Sequence, residues 1–193
     1  LHVLSCATAA IRDDKPCEEP SAFVRSLSDT LGDRSLEPAY VAETLKLPSE
    51  SDIAREIGKN IDPDAIHAAR EWLKNRIADA LHYELDSIYT ANTVDGPYSP
   101  EAEPAGKRSL RNAALALLGA ATGNNGLERV REHYENAGNM TDAIAALSIL
   151  THVAGNERED AFEDFRGKWK DDHLLMDKWF ALQATASLPD SPE

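Results

Sequence analysis

Between Asn60 and Asn92 the chain reads NIDPDAIHAAREWLKNRIADALHYELDSIYTAN, and this stretch restricts the fold more than any other. Asp62 is a natural N-cap, and Pro63 takes the first helical position, where its missing N–H costs nothing. From there Ile66, Ala69, Leu73, Ile77, Ala80, Leu81, Leu85, Ile88 and Tyr89 keep the spacing of one helix face. The pattern predicts a single helix of about eight turns, a spine against which shorter helices can pack. A sheet has no counterpart: no run of alternating β-branched residues reads as a strand.

The flanking segments repeat a helix-and-turn rhythm. LHVLSCATAAIR opens as a helix entered partway, and DDKPCEEPS is a turn in which Ser21 can cap a helix carrying Phe23, Val24, Leu27 and Leu31. Short helices over AYVAETLKL and IAREIG follow. The Pro-, Gly- and acid-rich stretch TVDGPYSPEAEPAG, residues 93–106, is the clearest break and a possible subdomain boundary. Beyond it GKRSLRNAALALLGAAT, GLERVREHYENAG, NMTDAIAALSILTHVAG, REDAFEDFRGKWKDDH and LLMDKWFALQA each read as helices, with Asn139 or Thr141 as the cap of the third. Only 6% of residues are aromatic while 42% are hydrophobic, and Ala is abundant, which favours close-packed helices. The expected fold is all-α: paired antiparallel helices in a two-layer, solenoid-like (ARM/HEAT-like) superhelical arrangement, without the fixed residue code of the short-repeat families.

In the last of these helices, Leu175, Trp179 and Leu182 share a face, Met176 and Phe180 one flank, Leu174 and Ala181 the other. Such a helix is expected between others in a core. Asp177 and Lys178 would then be an inter-helix or inter-domain polar contact rather than a catalytic pair.

The chemistry-bearing residues do not assemble into a known site. His67 with Glu71 and His82 with Asp86 are each one turn apart, but zinc needs three or four converging ligands. The two histidines are fifteen residues apart on one predicted helix, over about 20 Å. His133, His152 and His173 have no ligand-like neighbours. PAGKRSLRN resembles the tail of a phosphate loop, yet Glu101 stands where its first Gly belongs and Arg108 where a Ser or Thr should hold magnesium. Lys107, Arg108 and Arg111 form the most basic cluster, suited to ion pairs with acidic neighbours. A net charge of −14 argues against nucleic acid and anionic membrane as partners. Cys6 and Cys17 read as free thiols of a cytoplasmic protein. No catalytic, cofactor-binding or metal-ligating residue is assigned.

IDPDAI, GKRSLRNAAL, AGNMTDAIAALS and LLMDKWFALQATA, in this order, resemble the helical C-terminal region of the bacterial aminopeptidase N (alanyl aminopeptidase) family of gluzincin zinc metallopeptidases. The resemblance runs over roughly residues 38 to 187. It implies a zinc-dependent exopeptidase that removes N-terminal residues from peptides, with a Glu activating water and a second Glu, in a G-x-M-E-N motif, gripping the free amine. This chain has neither H-E-x-x-H nor G-x-M-E-N; GNMTD at 138–142 shares only two letters with the latter. The resemblance therefore implies a fragment of the helical domain, residues 1–193, without cofactor of its own, the zinc belonging to the catalytic domain. Its partners would be the catalytic and other domains of the same polypeptide and the peptide substrates of the parent enzyme. The contrasting expectation is a free-standing helical-repeat scaffold for protein–protein interaction.

Overall fold

The computed structural model describes residues 1–120 and 126–188, and among these the chain is all-α, with helices packing as antiparallel pairs and no strand. The helices are α1 (His2–Arg12), α2 (Ser21–Gly32), α3 (Pro38–Thr44), α4 (Glu50–Ile57), α5 (Pro63–Ala80), α6 (His82–Ala91), α7 (Ala102–Leu118), α8 (Gly126–Glu135), α9 (Met140–Leu150), α10 (Asn156–Trp169) and α11 (His173–Ala184). They group into two compact units, one of α1–α7 and one of α8–α11 with residues 95–100. The helical reading of residues 121–122 and the tail from Pro189 lie outside the described residues.

The caps follow the local chemistry. Asp62 accepts from the Ala65 N–H at 3.0 Å and starts α5. Ser49 accepts from the Asp52 N–H at 3.1 Å while its hydroxyl donates to the Asp52 carboxylate at 2.6 Å, a reciprocal arrangement that closes the first turn of α4. Asn139 caps α9, and Asp172 caps α11 by accepting from the N–H groups of Leu174 and Leu175. Ser21 does not cap α2: it is the first helical residue, and Pro20 occupies the cap without a side-chain bond.

The expected eight-turn spine is two helices. Leu81, at φ −113° and ψ 23°, leaves the helical region and separates α5 from α6. Ile77, Leu81 and Leu85 nevertheless all face the same core, each at most 3% exposed. The apolar spacing therefore runs unbroken through a backbone break, which is why periodicity does not reveal it.

In the first unit α5 packs on α1 and α4, and α7 packs on α3 and α6. Leu4, Val41, Ile53, Ile66, Leu73 and Leu118 meet in its core. α7 begins at Ala102, so the last residues of the Pro-rich stretch are helical. Gly106 lets α7 approach α3: a Cβ there would lie 3.2 Å from the Ala39 backbone nitrogen. In the second unit α8 pairs with α9 and α10 with α11, around Val130, Leu147, Leu150, Phe162 and Phe165.

Among the described residues α11 is not sandwiched between other helices. None of its residues is buried, and Leu174 and Phe180 are 71% and 61% exposed. Leu175, Met176, Trp179 and Leu182 are partly covered, the face the sequence marks out, and among the described residues it is α10 that α11 packs closely against. The anchor is Trp179, whose Nε1–H donates to the Phe162 carbonyl of α10 at 2.9 Å. Among the described residues Asp177 and Lys178 are exposed and form no hydrogen bond or ion pair, so they make no inter-helix contact with these helices.

Candidate functional site

The histidines are dispersed. His67 is one turn from Glu71 in α5, but its Nδ1 meets Glu50 of α4 at 2.8 Å, while Glu71 pairs with Lys74. His82 lies at the start of α6 with its ring edge-on to Tyr83. His152 accepts from the Ser187 N–H at 3.3 Å in the second unit. Among the described residues no group of three or more His, Cys, Asp or Glu side chains could hold a metal ion. No helix among them is long and apolar enough to cross a membrane.

The basic cluster is divided by α7 itself. Lys107 pairs with Glu103 one turn earlier at 2.7 Å, which holds the Glu103 carboxyl below its usual range. Arg108 is buried, at 4% exposure. Arg111 reaches α6, with its guanidinium 4.5 Å from the Tyr89 ring centroid and Nη2 3.2 Å from the Tyr89 hydroxyl. Arg111 thus joins α7 to α6, Lys107 pairs within α7, and Gly106 serves close packing rather than a phosphate.

Two polar networks hold the second unit, and both involve residues that sequence reasoning passed over. GNMTD makes the α8–α9 turn: Asn139 accepts from the Asp142 N–H at 3.0 Å, and its amide donates to the Asp142 carboxylate at 2.8 Å. His133 of α8 lies 3.9 Å from that carboxylate, both residues being buried. Between α8 and α10, the Tyr134 hydroxyl donates to Asp164 at 2.7 Å, and Lys168 binds the same Oδ2 at 2.7 Å. Burial, then the hydrogen bond to Asp164 and its negative charge, push the Tyr134 phenol well above the ordinary tyrosine range. Burial works against the Asp164 carboxylate, but the Lys168 and Tyr134 hydrogen bonds and the Lys168 charge outweigh it and hold the group low. The His133–Asp142 and Tyr134–Asp164 contacts have no signal in the sequence spacing, because each crosses between helices, whereas the Asn139–Asp142 and Asp164–Lys168 pairs are local.

The first unit has a cleft of about 380 Å³ between α1, the turn after it and α2. Val3, Ala7, Ala10 and Phe23 supply apolar wall, and His2 and Cys6 stand in it one helical turn apart. The Cys6 Sγ is 3.8 Å and 3.9 Å from the two His2 ring nitrogens. The i, i+4 spacing was the available signal, hidden because the residues look generic in a terminal helix.

A family described as a domain of unknown function with ARM repeats (DUF3458_C) matches residues 2–193. Aminopeptidase N of Caulobacter vibrioides is 39% identical over 171 residues, covering 89% of this chain and 20% of that protein. Aminopeptidase N of Haemophilus influenzae is 43% identical over 73% of this chain and 16% of its own length. Aminopeptidase N of Escherichia coli is 38% identical over 89% of this chain and 20% of its own length. The crystal structure of Legionella pneumophila aminopeptidase A in complex with aspartic acid superposes with a TM-score of 0.81 at 25% identity, covering 97% of this chain and 23% of that one. The chain thus spans about a fifth of the length of the relatives it matches.

Proposed function

Since the chain belongs to the ARM-repeat family DUF3458_C and is homologous to aminopeptidase N over most of its length, we propose that it is the non-catalytic helical part of a zinc-dependent aminopeptidase. The carrying observation is the identity of 38–43% to three aminopeptidases N, spread over most of this chain but a fifth or less of theirs. In this reading the helices help enclose the catalytic chamber and limit the size of peptide that enters, and the chain alone turns over no peptide. Its partners are the catalytic and other domains of the parent polypeptide, which hold the zinc and act on the N-termini of peptides. The exposed Leu174 and Phe180 of α11 suit a helix that another element covers. A cytoplasmic location is part of the proposal, supported by Cys6 and Cys17 being unpaired.

The test is a chimera in which this chain replaces the matching segment of Escherichia coli aminopeptidase N. The chimera is expected to fold, bind zinc and hydrolyse alanyl dipeptides while leaving folded proteins untouched. A folded, zinc-loaded chimera without dipeptide turnover, or one that trims folded proteins freely, overturns the proposal.

A further inference from the structure

The cleft of the first unit brings together a thiol, an imidazole and an apolar wall that no step of peptide hydrolysis uses. Cys6 is exposed, its Sγ lies within 3.9 Å of both His2 ring nitrogens, and both side chains line the same space of about 380 Å³. That volume accommodates a small organic molecule, and Phe23 with Val3 and Ala10 favours an apolar chain. Cys17 is an internal contrast. It is half-buried, its Sγ points at the Ala7 carbonyl at 3.8 Å, and burial pushes its thiol up. The thiolate is the attacking species, so an accessible sulfur with a base beside it should outpace a burial-suppressed one.

We propose that this cleft is a covalent-adduct site, in which Cys6 adds to apolar α,β-unsaturated aldehydes with His2 carrying the proton. The Cys6 S–H proton passes to a His2 ring nitrogen. The sulfur lone pair forms the S–C bond at the β-carbon, and the C=C π pair moves to the α-carbon, in conjugation with the carbonyl. The imidazolium then returns its proton to the α-carbon. The product is a saturated aldehyde thioether, and nothing is oxidised or reduced. The site is independent of the peptidase reading, since it needs only residues of this chain.

The experiment treats the whole 193-residue chain with trans-2-nonenal, traps adducts with borohydride and follows each cysteine by peptide mass mapping. Cys6 is expected to react about tenfold faster than Cys17, with the two rates converging in urea. His2→Ala should lower the Cys6 rate severalfold and leave Cys17 unchanged. Phe23→Ala should slow nonenal but not acrolein, which has no chain to seat. Equal native rates for the two cysteines, an unchanged Cys6 rate in His2→Ala, or a Phe23→Ala effect equal for both aldehydes overturns the proposal. Circular dichroism of each variant separates these outcomes from unfolding.

Discussion

Replacing Tyr134 by Phe removes one hydroxyl from the α8–α10 contact and little else. Tyr134 is 8% exposed, and its hydroxyl donates to an Asp164 carboxylate whose side chain is 42% exposed. A hydrogen bond to a charged partner contributes about 1.5–3 kcal/mol when well sheltered. Two features place this one lower: Asp164 keeps Lys168 as a partner, and water reaches its carboxylate. The expected loss is therefore about 1–2 kcal/mol at neutral pH, read from urea unfolding followed by far-UV circular dichroism. Two pH limits sharpen it. Asp164 is held below its ordinary value, so its contribution is present above about pH 4 and is lost as the pH falls through the folded value. The Tyr134 phenol is raised, so its contribution is complete below about pH 10 and fades above, where the unfolded chain ionises first. The gap between wild type and Tyr134→Phe should accordingly narrow at both ends of the scale. In a double-mutant cycle with Asp164→Asn the two losses should fall short of additive by most of the single effect. A variant as stable as wild type at pH 7, or strictly additive losses, would refute the reasoning.

Four other outcomes follow from the packing. Phe165→Ala empties a fully buried position of the second unit and should cost about 3–5 kcal/mol in the same urea titration. Asp62→Ala removes the α5 cap bond and should cost about 0.5–2 kcal/mol, with Asp62→Ser recovering most of it. Trp179→Phe keeps an aromatic ring but loses the bond to the Phe162 carbonyl, so amide exchange should accelerate throughout α11 while α5 and α7 keep their protection. Asp177→Ala should change the stability of this chain by no more than about 0.5 kcal/mol, because the carboxylate is exposed and has no partner among the described residues; a drop in melting temperature of several degrees would restore the polar contact that the sequence suggests.

Short-range chemistry was the legible part of the sequence. Asp62 with Pro63, and Asn139 ahead of an apolar run, announce helix starts because a cap involves residues only three apart. The all-α class is equally local, following from periodicity and the lack of alternating runs. Leu81 was not legible, since both sides of the break feed one core and the apolar register never falters. Ser21 misled for the opposite reason: a good capping residue stands next to a proline that takes the cap. α11 shows that a nearly all-round apolar pattern records which faces can be covered, not which are covered among the described residues. Partners distant in the chain, α1 with α5 and α3 with α7, had no signal in helix rhythm beyond the small residues Gly106 and Ala39 that let one pair approach. The contacts of His133 with Asp142 and of Tyr134 with Asp164 depend likewise on α8 meeting α9 and α10, and the His2–Cys6 cleft on α1 meeting α2.

The most direct test of the central claim is the size and activity of the native polypeptide that carries NMTDAIAALS. An antibody to this segment, applied to fractionated source cells, is read alongside hydrolysis of alanyl peptides in the same fractions. The expected result is a band several times larger than 21.1 kDa that co-elutes with chelator-sensitive aminopeptidase activity. A band near 21.1 kDa, in fractions without that activity, would contradict it and make this fold a free-standing binding module.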